Sequence, residues 1–256
     1  MRISCVTIEK NEGRGDKMSQ IEQLQSLIDE SRRIVFFGGA GVSTESGIPD
    51  FRSTDGLYHQ TYDYPPETIL SHSFFMRNTE EFYRFYRDKM LCLEAEPNDA
   101  HRKLAQLEAA GKLTAVVTQN IDGLHQKAGS KKVLELHGSV LRNYCMKCGK
   151  FYDAETILHS LGIPRCDCGG IIKPDVVLYE EGLSDQVMSE AIYHIANADL
   201  LIIGGTSLVV YPAAGMVRYF RGDRLVLLNK SATSADEYAT LCIRESIGQV
   251  LKQIEI

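Results

Sequence analysis

The sequence predicts an α/β fold, a doubly wound parallel sheet with a smaller inserted domain. Three observations predict it. Short apolar runs alternate with stretches of helical periodicity. The apolar runs end in glycine or polar clusters. Two stretches, 55–91 and 142–170, break the alternation and read as insertions between sheet elements. A chain of 256 residues suffices for one large domain, or for one domain with a small partner.

Each element has a local reason. Residues 1–17 are mixed, charged and aperiodic, and read as a flexible leader ahead of a pattern that begins at Met18. Ser19 and Glu22 form a capping box for a helix whose apolar face is Ile21, Leu24, Leu27 and Ile28. A buried strand follows, Ile34 to Phe37, running into Gly38, Gly39, Ala40 and Gly41. Asn98 caps a helix carrying Leu104 and Leu107, with Gly111 as its stop. The strand from Leu113 to Thr118 ends at Gln119, Asn120, Ile121 and Asp122, and a short strand from Val133 to Leu136 ends at His137. Ser184 opens a further helix. Leu200 to Ile203 is a strand ending in Gly204, Gly205, Thr206 and Ser207, and Arg224 to Leu228 is the last, ending at Asn229. Residues 18–54, 92–141 and 171–256 therefore read as a Rossmann-like domain. The small domain is then an aromatic-rich helical segment at 55–91 plus a cysteine module at 142–170. The helical segment holds Tyr58, Tyr62, Tyr64, Phe74, Phe75, Phe82, Tyr83, Phe85 and Tyr86.

Composition excludes several classes. Hydrophobic residues at 44% and charged residues at 24% are ordinary for a globular chain, so neither disorder nor a fibrous repeat is indicated. A net charge of −6 argues against direct, nonspecific nucleic-acid binding, which needs a basic surface. No apolar run approaches the roughly 20 residues of a membrane span, and the first residues lack the apolar core of a signal peptide. Cytoplasmic residence is the expectation. The odd total of seven cysteines, four of them in one window, points to metal binding in a reducing compartment rather than to disulfides. Cys92 and Cys242 read as small core residues; Cys5 is isolated.

Cys145 and Cys148, followed by Cys166 and Cys168, have the clustering of a tetrahedral thiolate zinc site. The second pair is spaced Cys-x-Cys rather than Cys-x-x-Cys. Gly149, Gly169 and Gly170 permit the tight turns that aim amides at sulfur. Four thiolates leave no position for water, so the expected zinc is structural.

The glycine turn after the first strand is neither the common G-x-G-x-x-G nor a Walker A loop. Its position carries more weight than its pattern. Polar clusters follow four strands, at the glycine turn, at Gln119–Asp122, at Gly205–Ser207, and at Asn229 with Lys230 and Ser231. In an open parallel sheet these ends line one ligand crevice. Any one of them could be a helix cap; four together favour a nucleotide. His137 ends a strand that points at the same crevice, where a histidine can act as a base. The other six histidines read as structural.

The run from Gly39 through Phe51 and Arg52, the run from Thr118 to His125, His137 with Gly138, the cysteine pairs, and Gly205 to Ser207 occur in that order. Together they resemble the sirtuins, the Sir2 family of NAD-dependent protein deacylases, over roughly residues 19–256. The resemblance implies that the acyl oxygen of a modified lysine attacks the nicotinamide ribose and displaces nicotinamide. His137, as general base, then activates a ribose hydroxyl that attacks the alkylimidate carbon, and water completes the reaction, giving lysine and O-acyl-ADP-ribose. It further implies that Asn120 and Asp122 shape the nicotinamide pocket and that Gln119 contacts ribose. Gly39, Ala40, Gly41, Thr44, Asp50, Phe51, Arg52, Ile121, Gly205, Thr206, Ser207, Asn229 and Ile247 complete the implied NAD contacts, with Phe51 shielding the reacting carbon.

The segment from Lys173 to Glu181 resembles the family's peptide-binding strand. Val177 and Tyr179 would line the acyl-lysine tunnel while the substrate pairs as an added strand. The family usually has glycine where Glu180 stands. Members preferring succinyl or malonyl groups carry a tyrosine and, three residues later, an arginine that binds the acyl carboxylate. Here Tyr83 is followed at that spacing by Tyr86, and Arg84 and Arg87 lie on other helical faces. The implied activity is deacetylation of acetyl-lysine proteins or peptides; longer neutral acyl groups are an alternative, since an apolar tunnel rejects methylenes weakly. A mono-ADP-ribosyltransferase shares nicotinamide cleavage and is the alternative enzyme class. A zinc-ribbon nucleic-acid module conflicts with the acidic charge. A dehydrogenase would want G-x-G-x-x-G and an acidic residue at a second strand end, which Asp50 and Asp55 do not provide. Oligomeric state has no signature in the sequence.

Overall fold

Ser19 accepts from the Glu22 amide and Glu22 accepts from the Ser19 amide, so the predicted capping box starts α1 (Gln20–Asp29), with Leu24 and Ile28 buried. The computed structural model describes residues 18–50 and 63–256. The leader 1–17, with Cys5, lies outside the described residues. So do Phe51, Arg52, Tyr58 and Tyr62.

Strand β1 (Ile34–Gly38) is buried along its whole length. That is the signature of a central parallel strand covered on both faces. Three short helices follow, α2 (Pro66–Ile69), α3 (His72–Arg77) and α4 (Thr79–Lys89). Then α5 (Asp99–Ala109) leads to β2 (Leu113–Thr118), α6 (Leu124–Lys127) and β3 (Val133–Glu135). Gly111 stops α5 with a left-handed φ of 73°, as the sequence predicts. Strands β4 (Gly138–Cys145), β5 (Phe151–Tyr152) and, after α7 (Ala154–Leu158), β6 (Ile172–Val176) form a separate sheet. The chain closes with α8 (Asp185–Asn197), β7 (Leu200–Gly204), β8 (Arg224–Leu228), β9 (Leu241–Ile243) and α9 (Ile247–Lys252).

The large sheet is parallel, in the order β3-β2-β1-β7-β8-β9. Successive side chains of a strand point to opposite faces. Ile34, Phe36, Val116, Ile202 and Val226 therefore pack with Leu24, Leu104 and Val250 in one core, while Val35, Phe37, Val117, Ile203 and Leu227 pack with Ala191 and Ile195 in another. Helices on both faces make this the doubly wound fold of the sequence reading. Arg224–Leu228 is not the last strand, however. The three residues of β9 pair with β8, and so short a segment carries no periodicity for sequence to reveal. Cys242 lies in it and Cys92 in a loop; both are only half-buried.

The three-stranded sheet, in the order β5-β4-β6, is antiparallel and shares a third core with Phe74, Phe75, Phe82, Tyr83, Phe85 and Tyr86. Phe82 stands edge-on to Phe75 (4.9 Å) and stacks on Tyr86 (5.4 Å). The aromatic helices and the cysteine module are thus one packed body. Strands β4 and β6 extend it beyond the cysteines, to Gly138 and Val176, and bring it against the end of the large sheet at His137.

Candidate active site

The strand order reverses direction between β1 and β7, and ligands of open α/β sheets bind at such a switch point. The two turns there are Gly38–Gly41 and Gly204–Gly205, and they interlock. The Gly39 amide donates to the Gly204 carbonyl (3.1 Å) and the Gly41 amide to that of Gly205 (2.8 Å). A Cβ on Gly41 would lie 2.7 Å from the Gly205 Cα, and one on Gly205 2.4 Å from the Val42 nitrogen. Gly205 also takes a left-handed φ of 61°. The amides of Gly39, Gly41, Val42 and Ser43 are all used inside the turn pair. What glycine supplies here is a floor thin enough for two loops to cross.

Of the remaining predicted residues, Phe51 and Arg52 lie outside the described residues, and the others are placed as follows. Gln119 donates to the Thr206 hydroxyl (3.0 Å), bridging the ends of β2 and β7. Thr206 is buried, accepts from the Leu208 amide, and is followed by an exposed Ser207 that caps no helix. Ala40, Thr44 and Asp50 are half-buried, with the Thr44 hydroxyl donating to the Gly41 carbonyl. Asn229 directly follows β8, its side-chain amide donating to the Ser231 carbonyl. Ile247 is buried beneath Gly204, where its Cδ1 would lie 3.3 Å from an added Cβ. Ile121 faces the small sheet, its carbonyl accepting from the Val140 amide.

Asn120 and Asp122 converge on a residue with no role in the sequence reading. Ser43 is 1% exposed; its hydroxyl donates to Asp122 Oδ2 (2.6 Å) and accepts from Asn120 Nδ2 (3.0 Å). The other oxygen of Asp122 accepts from the Leu124 amide (2.9 Å) and opens α6. Ser43 was visible as part of the glycine run, but a lone serine after such a turn reads as a cap. Asn98 does cap α5, as predicted, and also reaches the Val42 carbonyl (2.8 Å) and the Ser46 hydroxyl (3.0 Å), tying the turn to α5.

His137 follows β3, with Nδ1 3.0 Å from the Gln119 carbonyl. A carbonyl only accepts, so Nδ1 carries the proton and Nε2 presents its lone pair. Burial holds the imidazole below the usual histidine range, partly offset by that hydrogen bond. The ring is therefore a neutral base of fixed tautomer. His101 and His125, buried side by side with ring centroids 4.7 Å apart, are pushed by burial to about 4 and about 3. They fit the structural reading given to them.

From His137 the chain reaches the substrate-strand candidate directly. The Val177 amide donates to the His137 carbonyl (3.0 Å). Val177 is half-buried, and Tyr179 is 38% exposed beyond it. Tyr83 and Tyr86 are fully buried, the Tyr83 hydroxyl donating to the Ile172 carbonyl. Arg87 lies over the Tyr83 ring at 5.3 Å and bonds the Ile157 carbonyl and the Ser160 hydroxyl, so its guanidinium is committed within the small body.

The cysteine module passes a fit test for zinc. The four sulfurs of Cys145, Cys148, Cys166 and Cys168 lie within 4.8 Å of one another, Cys145 to Cys168 at 3.4 Å and Cys148 to Cys166 at 3.5 Å. Tetrahedral thiolates about 2.3 Å from a zinc ion sit at such mutual spacings. The Lys147 amide faces the Cys145 sulfur (3.4 Å), and Gly149 and Gly169 turn through left-handed φ as expected.

The fold and this constellation define a nucleotide-dependent enzyme with a structural metal module, and the chain belongs to the Sir2 family, whose model matches residues 39–212. It is 59% identical over 241 residues to an NAD-dependent protein deacetylase of Clostridium acetobutylicum, covering 93% of this chain and 98% of that one. It is 61% identical over 239 residues to the NAD-dependent protein deacetylase of Clostridium perfringens, covering 92% and 98%. Among solved structures it is similar to a Sir2 protein with a deacetylated p53 peptide and 3′-O-acetyl ADP-ribose (TM-score 0.84, 42% identity, 91% of this chain and 96% of that one). It is also similar to a complex of Sir2, p53 peptide and NAD+ (TM-score 0.81, 43% identity, covering 92% and 97%).

Proposed function

We propose that this chain is an NAD-dependent protein-lysine deacetylase, moving the acetyl group of an acetyl-lysine peptide to ADP-ribose and releasing nicotinamide. The observation that carries the reading is the His137–Gln119 hydrogen bond, which leaves Nε2 as a base beside the Ser43, Asn120 and Asp122 array. NAD, when bound, supplies an electrophilic ribose carbon and a nicotinamide leaving group.

The protein's part follows from its groups. The floor made by Gly39, Gly41 and Gly205, where any added side chain would force the two turns apart, is the proposed cradle of the dinucleotide. Ala40, Thr44, Asp50, Phe51, Arg52, Gln119, Ile121, Thr206, Ser207, Asn229 and Ile247 are the proposed surrounding contacts. Asn120 and Asp122, oriented by Ser43, meet the nicotinamide end with polar groups fixed in advance of the reaction. His137 Nε2 takes the proton of a ribose hydroxyl, which strengthens that oxygen as a nucleophile toward the acyl carbon. Val177 and Tyr179 hold the acyl-lysine, whose backbone adds as a strand. Cys145, Cys148, Cys166 and Cys168 hold a structural zinc. On this reading residues 18–54, 92–141 and 171–256 form the NAD domain and residues 55–91 and 142–170 the small domain. The partners are acetylated peptides or proteins rather than nucleic acid or membrane; no helix of the described residues is long and apolar enough to cross a bilayer. Cytoplasmic residence is part of the same proposal.

The buried Tyr83 and Tyr86, and the commitment of Arg87 to Ile157 and Ser160, support acetyl over succinyl. Incubation with NAD and an acetylated peptide, followed by mass spectrometry, tests the reading. Loss of acetyl with formation of O-acetyl-ADP-ribose is expected. ADP-ribose on a still-acetylated peptide would identify a mono-ADP-ribosyltransferase, and faster desuccinylation would overturn the acyl preference.

A further inference from the structure

Among the described residues, two that carry side chains take a left-handed backbone, Glu180 (φ 76°) and Leu208 (φ 53°). A Cβ disfavours that conformation, so a residue other than glycine persists there when its surroundings compensate. Glu180 has such a compensation. Its Oε2 accepts from the Ser73 amide (2.8 Å) and its Oε1 from the Ser73 hydroxyl (2.9 Å). These bonds to the anion hold its carboxyl below the usual range.

The neighbouring contacts converge on the same place. Glu181 accepts from the Leu178 amide (2.9 Å) and the Lys173 ammonium (3.1 Å) and pairs with His72 Nδ1 (2.8 Å). The Tyr179 amide donates to the Leu70 carbonyl and the His72 amide to the Tyr179 carbonyl, both at 2.9 Å. Two consecutive glutamates thus grip two consecutive residues of α3, with Tyr179 held between them. At its other end the segment is fixed to His137 through the Val177 amide.

We infer that Glu180 is a positioning residue for the peptide substrate, its carboxylate tying the Val177–Tyr179 strand to α3 through Ser73 and so fixing Tyr179 relative to His137. The inference rests on the reading of that strand as the substrate's partner. Loss of the tie loosens the strand at its Tyr179 end only. The NAD cradle, at the ends of β1 and β7, is built from other residues and is untouched. The effect falls on the peptide and not on the cofactor.

Glycine at this position separates the two roles by sign. If Glu180 were merely tolerated, Glu180→Gly would relieve an unfavourable φ and leave peptide binding unchanged or better. If Glu180 is a tie, the same change weakens peptide binding although the backbone gains freedom. Steady-state kinetics of the full chain with an acetyl-lysine peptide decide it. Glu180→Gly is expected to raise the peptide KM about fivefold, with kcat and the NAD KM within about twofold of wild type, the size expected from losing two hydrogen bonds to an exposed carboxylate. Glu180→Gln keeps an acceptor oxygen and should recover most of the affinity. Ser73→Ala keeps the amide bond and should raise the peptide KM by less than Glu180→Gly. An unchanged or lower peptide KM in Glu180→Gly overturns the inference, as does an equal rise in both KM values or a fall confined to kcat. A wild-type chain inactive on every acetyl peptide overturns the proposed function and this inference with it, and is recognised because it does not depend on Glu180.

Discussion

Gly205→Ala probes the crossing of the two turns, and the structure allows its cost to be worked in two parts. The first is conformational: alanine at a φ of 61° costs about 1 kcal/mol relative to glycine. The second is steric. The new methyl would lie 2.4 Å from the Val42 nitrogen and 2.6 Å from the Gly41 carbonyl carbon, both backbone atoms that no rotamer change can move. Forcing the loops apart adds about 2 kcal/mol. Gly111→Ala isolates the first part, because Gly111 has a similar φ of 73° and nothing within 4 Å of the new Cβ. At about 2–4 °C per kcal/mol for a chain of this size, Gly111→Ala should lower Tm by about 2–4 °C and Gly205→Ala by about 6–12 °C. Only Gly205→Ala should raise the KM for NAD, by tenfold or more on the order of magnitude of a displaced cradle. Calorimetry and NAD titrations measure both. Equal Tm losses for the two variants, or an NAD KM in Gly205→Ala indistinguishable from wild type, would refute the claim that these glycines exist to let the loops cross.

Three further outcomes follow from the same geometry. Because burial lowers the His137 pKa, its base form persists to lower pH than in a free histidine, and the acid limb of kcat/KM should have its midpoint below 6.5; a midpoint above 7 would contradict the stated environment. His101 and His125 have folded-state values depressed to about 4 and about 3, so between pH 6.5 and about 4 the unfolded chain binds protons that the folded one does not. Stability should fall with pH in that window, by up to about 1.4 kcal/mol per unit for each histidine, and a Tm independent of pH from 7 to 5 would be inconsistent with their burial. Chelation, or Cys148→Ser, should release zinc and unfold the three-stranded sheet, seen as a lost first transition in calorimetry; metal analysis that finds no zinc in the native chain would remove the structural-metal reading.

The parallel sheet was legible because its strands are buried on both faces and so appear as continuous apolar runs such as Ile34–Phe37 and Leu200–Ile203. The capping box at Ser19 and the cap at Asn98 are local, and local rules suffice for them. The cysteine pairs were legible because metal chemistry fixes residue type. What escaped depends on distance in sequence. Strand β9 is defined by its pairing with β8 rather than by its three residues. The role of Ser43 needs Asn120 and Asp122, some 80 positions away. The packing reason for the glycines is a second loop, Gly204–Gly205, contributed by β7. Glu180 stood out in sequence only as a departure from glycine; its partner Ser73 belongs to a helix 107 positions earlier.

The central claim is that His137 acts as a base whose tautomer is set by Gln119. Its most direct test compares wild type with His137→Ala, following release of nicotinamide and loss of acetyl from a peptide in the same reactions. The account predicts that wild type forms nicotinamide and deacetylated peptide in equal amounts. It predicts that His137→Ala loses deacetylation by 100-fold or more, on the order of the 10²–10⁴ that a positioned base contributes, while still binding NAD and peptide. A His137→Ala variant that deacetylates at the wild-type rate would contradict it.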